Sequence, residues 1–162
     1  VPEPDPSLTL TDAPNERAQV AIRGGLAEYN AGQAGYSDAS PLAIVVPDPE
    51  TGEPIGGLRG CTSMGLLFID LLFLPESLRG HGVGSRMIQA AEDEALRREG
   101  SKAILFTVTF QAPGFYDRQG YQVLGRIECD PPGYTRICMT KKLSGGLELA
   151  SSQGRAHSLT ID

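Results

Sequence analysis

The sequence predicts a mixed α/β fold built around one strand–loop–helix unit, and three observations carry that expectation. The run Leu66–Leu74 is apolar and strand-like, and it ends at Pro75, which cannot donate to a sheet ladder. A glycine-rich segment follows, Arg79-Gly80-His81-Gly82-Val83-Gly84. Beyond it, Ser85–Glu99 has the period of an amphipathic helix. Val83, Met87, Ala91 and Ala95 recur every fourth residue with Ile88 beside them, which leaves Glu92, Asp93, Arg97 and Arg98 for solvent. Gly100 is the expected left-handed residue that closes this helix, with Arg97 and Arg98 complementing its dipole.

The remaining elements follow in chain order. Val1–Pro6 is proline-rich and reads as a loosely held arm, and Ser7–Thr11 alternates enough for a short strand. Asp12-Ala13-Pro14-Asn15 supplies capping residues for a helix over Glu16–Asn30. Val20, Leu26 and Ala27 are expected on its core face, and Gly24-Gly25 is expected to weaken or kink its middle. Leu42–Val46 is a buried strand, Asp48–Glu53 a turn-rich hairpin loop, and Pro54–Cys61 the returning strand. The Ser63-Met64-Gly65 turn leads into the Leu66–Leu74 strand. After the helix, Ala103–Thr109 is apolar on both sides, as suits a central strand covered by helices. Gln111–Gln119 is a short helix closed by Gly120, and strands over Tyr121–Cys129 and Thr135–Leu143 end the fold. The order β-α-β-β-β-α-β-α-β-β implies a mixed sheet of about seven strands with a helical crossover between the fourth and fifth. Residues 1–143 read as one domain, and 144–162 as a polar tail expected to be flexible.

Composition narrows the function. At 162 residues, 40% hydrophobic and 21% charged, the chain suits an ordinary globular domain with a full-sized core. No apolar run is long enough to cross a bilayer and no signal-peptide pattern opens the chain, so a cytoplasmic location is the expectation. A net charge of −6 argues against nucleic acid or an anionic membrane as partner. Cys61, Cys129 and Cys138 form no C-x-x-C pair and read as free thiols. With His81 and His157 they make no metal-binding spacing, so no metal is expected.

A strand, a glycine-rich loop and a helix N-terminus together suit an anion, because converging N–H groups and the helix dipole both attract it. A Walker loop needs Gly-Lys-Ser/Thr, whereas Ser85 and Arg86 follow Gly84 here. A dinucleotide fingerprint needs glycine where Ser85 stands and an acid after the next strand, which instead ends in threonine and phenylalanine. The pattern Q/R-x-x-G-x-G/A is met at each fixed position by Arg79, Gly82 and Gly84. It resembles the pyrophosphate loop of the GCN5-related N-acetyltransferases (GNAT). A second segment, Phe115-Tyr116-Asp117-Arg118-Gln119-Gly120-Tyr121, is similar to the family's F-Y-x-x-x-G-F/Y stretch after the fifth strand. The wider Phe110-Gln111-Ala112-Pro113-Gly114-Phe115-Tyr116 is similar to a bacterial subgroup with an F-Q-A-P-x-F-Y segment. The resemblance covers Ser7–Leu143.

That resemblance implies the GNAT acyl-CoA N-acyltransferase fold, its sheet splayed between the fourth and fifth strands, and acetyl-CoA as co-substrate. Main-chain N–H groups over Gly80, His81, Gly82, Val83, Gly84 and Ser85, with Arg79, would cradle the pyrophosphate. The strand edge at Leu72, Phe73 and Leu74 would pair with the pantetheine amides, and Leu74 N–H would serve the oxyanion. Tyr116 is the candidate general acid, since a phenol with pKa near ~10 stays protonated at neutral pH. Asp70, the one acid in an otherwise apolar strand, is the candidate base, with water as the alternative. Family members often carry asparagine where Thr109 stands, and Gln111 is the candidate replacement. Acceptor contacts are expected from Tyr29 and Asn30, with Tyr36, and from Glu128, Asp130 and Tyr134. The reading is direct acetyl transfer to a primary amine of a small molecule or peptide, Cys61 showing no sign of an activated thiolate. The alternative is a non-catalytic acyl-CoA-binding or interaction domain of the same fold, and a homodimer is left open.

Overall fold

The computed structural model describes residues 7–144, so the proline-rich arm and the tail beyond Ser144 lie outside the described residues. Two compact units divide between Ser37 and Asp38. The first contains α1 (Glu16–Ala34). Asn15 caps it, its side chain accepting from Ala18 N–H at 2.9 Å. Gly35, at φ 77°, closes it by donating to Ala31 O at 2.9 Å.

Three expectations for this unit are corrected. Ser7–Thr11 forms no strand, because no second strand in the unit offers a ladder, and Leu8 and Leu10 are fully exposed. Gly24-Gly25 does not interrupt the helix, which runs four residues past Asn30. Glycine costs about 1 kcal/mol against alanine in a helix, and two cooperating caps carry the helix through it. Val20, Leu26 and Ala27 face no core, since no residue of α1 is buried.

The second unit is a six-stranded sheet with helices. In chain order it comprises β1 (Ser40–Pro47), β2 (Pro54–Ser63), β3 (Leu66–Phe73), a 3-10 turn (Glu76–Leu78), α2 (Val83–Arg97), β4 (Lys102–Val108), α3 (Pro113–Arg118), β5 (Gln122–Glu128) and β6 (Thr135–Lys142). Spatial order is β1-β2-β3-β4-β6-β5, six strands where about seven were expected; the missing one is the segment before α1. Only β3 and β4 run parallel, as the α2 crossover requires. No helix among the described residues is long and apolar enough to cross a membrane.

The core lies on one face of this sheet, under α2 and α3. Met87, Ile88, Ala91 and Ala95 of α2 meet Leu67, Ile69, Ala103, Leu105, Ile137 and Met139 of the sheet. Close approach is enforced at Gly60, where a Cβ would stand 2.0 Å from Phe68 O across the β2–β3 ladder. The other face is less covered than expected for a central strand: Phe106 of β4 is 54% exposed.

The polar side of α2 also departs from expectation. Glu92 is buried, and its Oε2 accepts from Lys141 Nζ of β6 at 2.6 Å. Arg98 is half-buried: its Nε donates to Glu94 at 2.6 Å, and its Nη1 donates to Ser40 O, Pro41 O and Thr62 Oγ1 at 3.1–3.2 Å. It thereby pins the end of α2 to β1 and β2. The left-handed residue after α2 is Glu99 (φ 64°), not Gly100. Gly100 is required for a different reason, since a Cβ there would lie 2.9 Å from Ala95 O, the carbonyl that Gly100 N–H reaches at 2.7 Å.

Candidate active site

A one-residue bulge shapes the centre of the site. In the β2–β3 ladder Gly60 opposes Ile69 and Arg59 opposes Leu71, so Asp70 has no opposite residue. The insertion reverses the strand's alternation: Leu67 and Ile69 face the core before it, Leu72 and Leu74 after it. Bulges re-aim side chains in this way. On the other side of β3, pairing with β4 covers only Leu66–Ile69 against Lys102–Leu105. Past Ile69 and Leu105 the two parallel strands separate, while each keeps its outer neighbour, β2 and β6. The expected splay is therefore present.

The gap opens into a cleft of about 1000 Å³. One wall is β3 from Ile69 to Phe73, including Asp70 and Leu72, with Leu74 just beyond it; the opposite wall is β4 from Leu105 to Val108. Its end is closed by Arg79, Gly80, Gly82, Val83, Gly84 and Ser85, and by Phe115, Tyr116, Arg118 and Gln119 of the α3 region. His81 is exposed on the turn and does not line the cleft. Tyr29 and Asn30 belong to α1, in the first unit, and Tyr29 is exposed. Of the hairpin residues, Glu128 accepts from the Thr135 hydroxyl, Tyr134 packs edge-on to Phe110 at 5.1 Å, and Asp130 is exposed.

The glycine loop has an unusual backbone. Gly80 and Gly82 are both left-handed, at φ 77° and 75°, and Gly82 is the N-cap of α2 with no side chain capping the helix. The first internal helix bond is Arg86 N–H to Gly82 O at 3.1 Å. Among the described residues, the N–H groups from Gly80 through Ser85 have no acceptor. A helix start leaves such donors orphaned unless a cap, water or ligand takes them. Here they stand at the positive end of a 15-residue helix dipole. Arg79 is held beside them, its Nε donating to Leu74 O at 3.0 Å. Gln119 Nε2 donates to Ser85 Oγ at 3.1 Å, tying α3 to the same helix start.

Tyr116 is 8% exposed, packed edge-on between Phe115 at 5.1 Å and Tyr121 at 6.0 Å. Burial pushes its phenol pKa above the usual value of 10.0, so it is neutral at physiological pH. Cys61 of β2 also has its pKa raised, by burial and then by the Asp70 charge. A thiol so placed is a poor nucleophile near neutrality.

Thr109 does not reach into the cleft. Its N–H donates to Thr135 O at 3.0 Å and its hydroxyl accepts from Thr135 N–H at 3.2 Å. Gln111 does line the cleft, its Oε1 accepting from Val108 N–H at 3.0 Å and from the Thr107 hydroxyl at 3.3 Å. The carboxamide nitrogen has no acceptor among the described residues. Sequence reasoning did not single out Phe106, Phe115, Arg118, Gln119 or Arg136 as cleft residues. Of these, Phe115, Arg118 and Gln119 carried a signal, through their place in the Phe115–Tyr121 segment.

Comparison with known proteins agrees with this architecture. The acetyltransferase (GNAT) family profile matches residues 10–121. An acetyltransferase of Agrobacterium fabrum is 34% identical over 121 residues, covering 75% of this chain and 88% of that one. A blasticidin-S acetyltransferase of Streptomyces morookaense is 42% identical over 109 residues, covering 65% and 80%. The crystal structure of an acetyltransferase from Bacillus cereus superposes with a TM-score of 0.65 at 27% identity, covering 83% of this chain and 98% of that one. The fold and the match define an acyltransferase. The chain belongs to the GNAT acetyltransferase family, whose enzymes use acetyl-CoA.

Proposed function

We propose that this chain transfers the acetyl group of acetyl-CoA directly to a primary amine of a small molecule or peptide. The carrying observation is the row of acceptor-free N–H groups from Gly80 to Ser85, opening into the cleft between the separated strands. Such a row at a helix start suits a pyrophosphate, and the Arg79 guanidinium adds charge beside it. The free edge of β3 at Leu72–Leu74 would pair with the pantetheine amides, as an added strand does. Leu74 N–H would then support the developing oxyanion.

Two proton movements remain. Asp70, the only carboxylate lining the cleft among the described residues, would accept the ammonium proton, directly or through water. The free amine then attacks the thioester carbonyl, forming the C–N bond. As the C–S bond breaks, the Tyr116 hydroxyl protonates the departing thiolate. The neutral Cys61 thiol favours this direct route over an acetyl-enzyme. A small-molecule acceptor is supported by the relative named blasticidin-S acetyltransferase.

Calorimetry with acetyl-CoA tests the reading, wild type beside Gly82→Trp. At φ 75° a tryptophan is strained and its ring fills the cradle, so binding should be lost while the fold survives. Wild-type protein that does not bind acetyl-CoA, or a variant that binds it equally well, would overturn the assignment of the loop.

A further inference from the structure

The cleft carries four charged side chains, and they divide between the two faces of the sheet. Arg79 and Arg118 stand at the glycine loop and on α3, on the face that α2 covers. Arg136 of β6 stands on the other. It opposes Val108 of β4 and Ile127 of β5, while its neighbour Ile137 opposes Thr107 and is buried in the core. Arg136 therefore leaves the sheet on the face shared by Phe106 and Val108. Asp70 is exposed beside the buried Ile69 and lines the cleft, so it opens to that face as well. Cys61, whose thiol feels its charge, opposes Phe68, between the core-facing Leu67 and Ile69.

Arg136 is positioned without being neutralised. Among the described residues its guanidinium makes no ion pair and no hydrogen bond, and Glu128 of β5 opposes Thr135 and so faces the other way. The Glu128 carboxylate instead accepts from the Thr135 hydroxyl at 3.2 Å. Meanwhile the start of β6 is fixed by the paired Thr109–Thr135 bonds and, one residue earlier, by the Phe110–Tyr134 edge-on contact. The acceptor face of the splay thus presents one carboxylate and one free guanidinium, in a cleft whose lining also includes Phe73, Phe106 and Phe110.

We infer that the acceptor is an amine that also carries a carboxylate, with Asp70 receiving the ammonium end and Arg136 the carboxylate end. A guanidinium matches a carboxylate with two parallel N–H···O bonds, which fixes the acceptor's orientation as well as its affinity. A purely cationic acceptor, such as a polyamine, would meet a like charge at Arg136 and be repelled. This inference rests on the acetyl transfer proposed above and narrows it to a substrate class.

The test uses a library of amino acids and dipeptides, each supplied both as the free acid and as its C-terminal amide, with acetyl-CoA as donor. Acetylated products are read by mass spectrometry for the wild type, Arg136→Gln and Arg136→Lys. Acid members should be acetylated in preference to their amides. Arg136→Gln should lower their kcat/KM by about 10- to 100-fold, the size of a lost charge-assisted pair, with the acetyl-CoA Kd unchanged. Arg136→Lys should restore part of the preference. Arg136 is exposed, so the variants should keep the wild-type Tm. A library in which no acid member is acetylated overturns the inference, as does an acid preference that survives Arg136→Gln. Acetylation of the amides alone would leave the transferase reading standing while removing this one, whereas protein that binds no acetyl-CoA would remove both.

Discussion

Gly84 and Phe115 are fitted so closely that a Cβ added to Gly84 would stand 3.2 Å from Phe115 Cζ. The contact joins the first turn of α2, where the loop donors lie, to α3, which carries Tyr116. Gly84→Val should push the Phe115 ring away, at a cost of about 1–3 kcal/mol for overpacking. Acetyl-CoA affinity should fall with stability, because both walls of the cleft move. Adding Phe115→Leu removes the ring edge, so the double variant should lose about 1 kcal/mol less than the sum of the singles. Strict additivity in denaturant titrations would show that the two residues do not communicate.

Tyr116→Phe tests the proton donor. The ring contacts with Phe115 and Tyr121 survive the change, so the fold and acetyl-CoA Kd should stay as they are. Turnover should drop by about 10²–10⁴-fold, the usual contribution of a positioned general acid. Full turnover in the variant would give the leaving thiolate's proton to another group.

The sequence exposed the frame of this site more fully than its furniture. The strand, glycine loop and helix around Gly82 were legible because periodicity and backbone chemistry are local. The separation of β3 from β4 was expected only through the family resemblance that the flanking motifs carry. What escaped notice depends on contacts distant in the chain. Glu92 sits on what periodicity marks as the solvent side of α2, and only the arrival of Lys141 from β6 explains its burial. The bulge at Asp70 shows only in the pairing register, which skips Asp70 between the partners of Arg59 and Gly60. Arg136 reads as one more exposed strand residue until the register puts it beside Val108. Gly100 reads locally as a left-handed helix end, whereas what requires glycine there is the nearness of Ala95 O.

The Glu92–Lys141 pair makes a stability prediction. Glu92 is 3% exposed, and its Oε1 has no partner among the described residues, so Lys141 is its one compensating charge. Lys141→Met should leave a buried carboxylate unpaired and destabilise the fold by about 3 kcal/mol. Glu92→Leu combined with Lys141→Met removes both charges and should recover most of that loss. A Lys141→Met protein with unchanged unfolding midpoint would mean that water already satisfies Glu92.

High pH should reveal the two buried tyrosines together. Burial raises the Tyr116 pKa above 10.0, and burial followed by the nearby Glu92 charge raises that of Tyr121 further. For an acid whose folded pKa is raised, the stabilising contribution is complete below the unfolded value and is lost as pH rises toward the folded one. Below about pH 10 both phenols are protonated in the folded and unfolded chains, and they add no slope. Above it the unfolded chain ionises first, so stability should fall by up to about 2.7 kcal/mol per pH unit for the pair. Urea unfolding across that range reads the slope. Tyr121→Phe should halve it, because one of the two phenols then has no proton to lose. The same protonation keeps Tyr116 competent as a donor, so the alkaline decline of kcat that it controls should lie above pH 10, the ordinary phenol value. A decline centred well below that value would belong to another group, and a slope unchanged by Tyr121→Phe would mean that this tyrosine ionises freely in the native protein.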